Sequence, residues 1–176
     1  MKILGLAGWS GSGKTTLIAE LIPALNNRGL SVSTIKHAHH TFDIDHPGKD
    51  SHKHRESGAQ EVLVSSARRW ALIHENRNVA EPDLTELIGK LSPVDLVLVE
   101  GFKHDPHPKI EVYRSANGKT LLAPDDPHVI AIALDTPQQD ADIPASIPKL
   151  PLDDVNAITD FIIDWYEDKH QAGTAQ

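Results

Sequence analysis

The sequence predicts an α/β protein: a mostly parallel sheet with helices on both faces and a β-hairpin extension. Three observations predict it. A short apolar run, KILGLA, leads straight into the glycine-rich GWSGSGKTT and then into the amphipathic LIAELIPAL. Further apolar runs, SVSTIK, DLVLVE and VIAIAL, alternate with stretches of helical spacing, the order in which strand, crossover helix and strand build a parallel sheet. Between them, EVLVSS and RRWALIHE are tightly joined runs rich in β-branched and aromatic residues, the pattern of a hairpin.

Taken in order, KILGLA is apolar up to the glycines and reads as a central buried strand. The next helix carries Leu17, Ile18, Leu21, Ile22 and Leu25 on one face, contains Pro23 as a kink, and stops near Arg28 and Gly29. LSVSTIKH is the second strand. The polar HAHHTFDIDHPGKD follows, too long for a plain connection and so a segment expected to carry function. A helix is expected over Ser51–Ser57, ended by Gly58, and then comes the hairpin. Leu84, Leu87, Ile88 and Leu91 fall at helical spacing before Pro93. VDLVLVEGF, KIEVYRS and HVIAIAL are three further strands. The last helix aligns Val155, Ile158, Phe161, Ile162 and Trp165, with Asp153 or Asp154 as its N-cap. One nucleotide-binding domain is expected over residues 1–169, with 170–176 as a disordered tail.

Composition narrows the function. A formal net charge of −8 lacks the basic stripe of a nucleic-acid binder. There is no cysteine, which excludes disulfides and thiolate metal sites. The N-terminal apolar stretch is too short for a signal peptide and no run reaches transmembrane length, so a soluble, cytoplasmic protein without a membrane partner is expected.

Gly8, Gly13, Lys14 and Thr15 fit G-x-x-x-x-G-K-[ST], the phosphate-binding loop of the P-loop NTPases. Glycines turn successive N–H groups inward, and the following helix adds its positive end. Gly8, Ser10, Gly11, Ser12, Gly13, Lys14, Thr15 and Thr16 are therefore the expected cradle for a nucleoside triphosphate. Lys14 would reach the outer phosphates and Thr15 would hold Mg2+. A dinucleotide turn of the G-x-G-x-x-G kind fails because residue 16 is Thr. Glu100, ending the apolar LVLVE, needs a cation to face and takes the place of the acid that holds Mg2+ in such loops.

The polar segment after the second strand supplies Lys36, which could neutralise phosphate charge, and Asp45 and Asp50, either of which could place a water or complete a Mg2+ shell. These three are the candidate catalytic residues. Six histidines between residues 37 and 54 also invite a transition-metal site, as in a nickel- or zinc-insertion GTPase, without any supporting ligand spacing. A small-molecule kinase is the other alternative. It would need an arginine-bearing lid, and Arg68 and Arg69 lie instead in the hairpin.

Together, GWSGSGKTTL, IKHAHHTFDIDHPGKDS, RRWAL and DLVLVEGFKH resemble the molybdopterin-guanine dinucleotide biosynthesis adapter family, MobB. The resemblance runs from about Ile3 to Trp165, and PGKDS and VEGFKH in this order are its specific part. It implies a homodimeric GTP-binding protein of weak GTPase activity. Such a protein would assist the MobA-like molybdopterin guanylyltransferase, which joins GMP to molybdopterin, and the delivery of the finished cofactor to molybdenum proteins. Carried over by position, Gly11 to Thr16 bind phosphates, Thr15 and Glu100 hold Mg2+, and Lys36, Asp45 and Asp50 form the switch region. The guanine-reading N-K-x-D is absent, and Asp135 is the best-placed acid to accept from the base.

Overall fold

Six strands run parallel in the order β2-β5-β1-β6-β7-β8 in the computed structural model, which describes residues 1–38, 42–136 and 143–173. They are β1 (Lys2–Ala7), β2 (Val32–Lys36), β5 (Leu96–Glu100), β6 (Lys109–Tyr113), β7 (Val129–Leu134) and β8 (Lys149–Pro151). A separate antiparallel pair joins β3 (Glu61–Ser65) to β4 (Trp70–His74). The helices are α1 (Lys14–Asn27), α2 (Asp50–Glu56), α3 (Leu84–Ile88) and α4 (Val155–Gly173). The chain divides into two compact units, residues 1–37 with 87–176, and residues 38–86.

In the larger unit α1 packs against α4 over one face of the sheet. Leu17, Leu21 and Leu25 of α1 and Ile158 and Ile162 of α4 enclose Leu4, Leu6, Leu96, Leu98, Ile110 and Val112, all at or near zero exposure. Each such side chain contributes about 1.5–3 kcal/mol by leaving water. A second cluster joins Val129, Ile132 and Leu134 of β7 to Ala123 and Ile143. Helix α1 runs through Pro23 and ends at Gly29, whose φ of 88° and N–H bond to Asn26 form the left-handed stop. Of the two candidate caps for α4 it is Asp154 whose carboxylate accepts from the Ala157 N–H, at 3.0 Å.

Two local features differ from what the sequence pattern suggests. KIEVYRS forms an interior strand, for β6 pairs with β1 on one side and β7 on the other. Its alternation of Lys and Glu with apolar residues resembles a half-exposed strand. In fact Lys109 is 1% exposed and its ammonium is held by the carbonyls of Lys103 and Asp105 at 2.9 Å and by Asp126 at 2.8 Å. Glu111, fully buried, accepts from the backbone N–H groups of Leu122 and Ala123. Second, the expected helix around DLTELIGKL is a short one, opened by a reciprocal capping box between Asp83 and Glu86. Strand β8, flanked by prolines, was not expected at all. Helix α4 ends at Gly173, and residues 174–176 of the expected tail lie outside the described residues. Among the described residues no helix is long and apolar enough to cross a membrane.

In the smaller unit, Arg55 of α2 binds Asp43 at 2.9 Å, Asp45 at 3.3 Å and Glu75, beyond β4, at 3.3 Å. The hairpin leaves Leu63, Trp70 and Leu72 exposed, and all three point to one face by their register.

Candidate functional site

The carboxyl end of β1 runs directly into the glycine loop. Gly8 has φ of 138°, and any Cβ there would strike the Val112 carbonyl, so only glycine lets the loop leave the sheet. Gly11 and Gly13 follow at φ of 80° and 98°, and α1 begins at Lys14. The first-turn N–H groups of α1 have no partner within the helix and face the loop with its positive end. Such a site favours an anion.

Lys14 curls back over this loop. Its ammonium donates to the carbonyl oxygens of Gly8 and Trp9, each at 2.9 Å. Burial lowers its pKa, with nearby Glu100 acting in the opposite direction. The Thr15 hydroxyl donates to the Glu100 carboxylate at 3.0 Å, and the Lys36 ammonium, from the end of β2, sits 3.3 Å from the same carboxylate. Ser10, Gly11, Gly13, Lys14, Thr15, Thr16, Lys36 and Glu100 line a cavity of about 460 Å³. The residues read from three separate stretches of sequence are thus brought together, because β2, β5 and β1 are neighbours ending at one side of the sheet. Ser12 stands apart: its hydroxyl is buried and has no partner among the described residues.

Chemically, one hydroxyl and one carboxylate 3.0 Å apart, beside two ammonium groups and a turn of free N–H donors, suit a polyphosphate with a divalent cation. Gly101, with φ of 98°, has a different task from the one its place suggests. A Cβ there would meet the Cβ of His37, whose N–H binds the Glu100 carbonyl at 2.8 Å and whose ring stacks on Phe102 at 4.7 Å. Glycine here lets the ends of β2 and β5 close on each other, which fixes Lys36 and Glu100.

The other candidates are placed elsewhere. Asp45, its side chain only 5% exposed, accepts from Ser51 at 2.6 Å and from Arg55, and the Ser51 bond first, then Arg55, holds its carboxyl below the usual range. Asp50 is 88% exposed at the start of α2, 3.4 Å from Lys53. Both belong to the smaller unit. Among the described residues no three His, Asp or Glu side chains form a metal-binding group, and His39 and His40 lie outside those residues. Asp135 follows β7, and its carboxylate accepts from the Ser115 N–H at 3.1 Å and hydroxyl at 3.3 Å. Arg114 and Asn117, which no motif marks, approach the glycine loop from the β6 side.

Comparison with known proteins gives the chain a family. The family model described as MobB, molybdopterin guanine dinucleotide synthesis protein B, matches residues 3–135. The chain is 42% identical over 170 residues to the molybdopterin-guanine dinucleotide biosynthesis adapter protein of Escherichia coli (strain K12), covering 94% of this chain and 93% of that one. It is 39% identical over 170 residues to the protein of the same description from Haemophilus influenzae, covering 97% and 92%. A crystal structure of molybdopterin-guanine biosynthesis protein B superposes with a TM-score of 0.71 at 28% identity, over 93% of this chain and 99% of that one. Bacillus subtilis MobB gives 0.72 at 26% identity, over 93% and 97%. By sequence along nearly its whole length and by fold, the chain belongs to the MobB family.

Proposed function

We propose that this protein is a GTP-binding adapter of slow intrinsic GTPase activity that assists molybdopterin guanine dinucleotide biosynthesis, acting as a homodimer on a MobA-like guanylyltransferase and on delivery of the cofactor. The observation that carries the nucleotide half is the convergence of Thr15, Glu100 and Lys36 beside the Lys14 loop. The residues fit the group: Thr15 and Glu100 would hold Mg2+, and Lys14 and Lys36 would meet the phosphates. The metal would supply charge neutralisation on the outer phosphates. The adapter half is supported by the printed descriptions of the relatives.

Slow intrinsic hydrolysis is supported by the surroundings of the candidate water-placing acids. A cation delivered to the reacting phosphate at the right moment is worth about 10³ to 10⁵ in rate, and the candidates for placing water, Asp45 and Asp50, lie on the segment before and at the start of α2. Asp45 is already engaged by Ser51 and Arg55. Partner docking that changes those bonds would free it.

Equilibrium binding of GTP and ATP, with and without Mg2+, tests the reading together with single-turnover GTP hydrolysis in the presence and absence of the guanylyltransferase. Expected are Mg2+-dependent GTP binding and a rate raised by the partner, with Asp45→Asn and Asp50→Asn lowering the stimulated rate more than the affinity. Fast hydrolysis by the protein alone, or a partner with no effect, would remove the switch from the proposal.

A further inference from the structure

The polyphosphate site described above is one-sided. Its metal-facing groups, Thr15, Glu100 and Lys36, come from the β1–β5–β2 side of the sheet, while β6 and β7 flank β1 on the other. A phosphate chain held over Lys14 with its terminal end toward Glu100 must send the rest of the molecule toward β6. What stands there is specific. A methyl built on Gly13 would lie 3.3 Å from Nε and 3.5 Å from Nη2 of Arg114. One built on Gly11 would lie 3.7 Å from Oδ1 and 3.9 Å from Nδ2 of Asn117.

Among the described residues neither side chain has another partner. Arg114, half-buried, makes no side-chain hydrogen bond or ion pair among the described residues, and the Asn117 Nδ2 is enclosed with no acceptor. An enclosed amide without a partner is costly, so a turn that fixes one in place calls for a ligand acceptor. The turn is fixed. The Asn117 N–H binds the Arg114 carbonyl at 3.0 Å, Gly118 closes it in the left-handed region at φ of 59°, and Asp135 anchors Ser115 through two bonds.

We propose that Arg114 and Asn117 form the nucleoside subsite of the glycine loop: the planar guanidinium of Arg114 takes the face of a heterocyclic base and the Asn117 amide donates to the sugar or base. This makes the ligand a nucleotide rather than an inorganic polyphosphate, and it makes Asp135 a positioning residue that holds the turn through Ser115 instead of reading the base itself. Arg is suited to this because its plane stacks where a lysine ammonium cannot. The inference rests on the reading of the glycine loop as a phosphate site.

The test compares GTP and inorganic triphosphate as ligands of the full chain by calorimetry with Mg2+. The proteins are wild type, Lys14→Ala, Arg114→Ala, Arg114→Lys and Asn117→Ala, each with a melting curve to confirm folding. Expected for Arg114→Ala and Asn117→Ala is a loss of about tenfold in GTP affinity, as for one lost stacking or hydrogen-bonding contact, with triphosphate affinity unchanged within about twofold. Arg114→Lys, which keeps the charge and loses the plane, should lose nearly as much as Arg114→Ala. Equal losses for both ligands, or full rescue by lysine, would make Arg114 a phosphate contact and overturn the subsite, as would GTP affinity that stays at the wild-type value. Lys14→Ala should lose both ligands together. If it loses neither, or if wild type binds neither, the phosphate reading fails and the subsite fails with it.

Discussion

Lys14 and Lys109 carry the same ammonium into opposite surroundings. Lys14 is tied to two carbonyls of a loop at the rim of an open cavity, so its removal leaves the core intact. We expect Lys14→Ala to abolish tight triphosphate binding while shifting the melting temperature by only a few degrees, the effect of about 1 kcal/mol. Glu100→Gln should weaken Mg2+-dependent nucleotide binding more than metal-free binding, since it keeps the side chain's shape and removes the charge facing Thr15. Equal losses with and without metal would count against that role. Lys109 is a different matter: its charge is enclosed, and among the described residues Asp126 is the one carboxylate bonded to it. Asp126→Ala should destabilise the fold by about 3 kcal/mol in urea unfolding, because it strands a buried cation. A loss under about 1 kcal/mol would mean that the carbonyls of Lys103 and Asp105 suffice.

At the scale of elements the exposed face of the β3–β4 hairpin is the strongest candidate for the contact of the proposed homodimer. Leu63 and Leu72 are opposed across the ladder and Trp70, 65% exposed, lies at its end. Apolar strand faces of this kind are usually covered. Trp70→Glu should therefore shift the light-scattering mass of the protein toward the monomer without loss of GTP binding, and an unchanged mass would place the contact elsewhere. This hairpin was legible because β-branched and aromatic residues flank a tight turn. The central strands were legible for the same kind of reason, as LVLVE and VIAIAL are continuous apolar runs buried on both faces. Strand β8 was not, since KLP offers one apolar side chain between two prolines and gains its place only by pairing with β7. The interior place of β6 was hidden too, because its Lys and Glu find partners in the 103–126 segment that local sequence cannot show. The site was legible where a motif fixes spacing, at Gly8 to Thr16, and at Glu100 where a charge ends an apolar run. Arg114 and Asn117 carry no such pattern, and only the approach of a turn to two glycines reveals them.

For the whole molecule, acid should be the weak flank. Asp45 is lowered first by the Ser51 bond. For Asp126 burial is the largest influence and raises the pKa, but the bonds from Lys109 and His128 outweigh it and leave a net lowering. A carboxyl whose folded pKa lies below its unfolded value adds stability above that unfolded value, near 3.8 here, and loses it as pH falls through the folded one. Glu111 acts in reverse: burial raises its pKa above 4.5, against the bonds from Leu122 and Ala123, so its ionisation weakens the fold as pH rises through that region. Urea midpoints measured from pH 3 to 7 should fall steeply below about pH 4. In Asp126→Asn the fall should be shallower, and in Glu111→Gln the decline with rising pH above about 4.5 should vanish. The order β2-β5-β1 carries a last consequence, for the making of the protein. The first two strands to leave the ribosome never pair with each other; β5, which bridges them, is translated only after the whole of residues 38–86. Until Glu100 emerges, β1 and β2 hold no ladder and the glycine loop has no frame, while the hairpin, closed by nearby residues, can form at once. Stalled nascent chains should accordingly become protease-resistant in two steps, the hairpin unit first and the glycine-loop unit abruptly after β5.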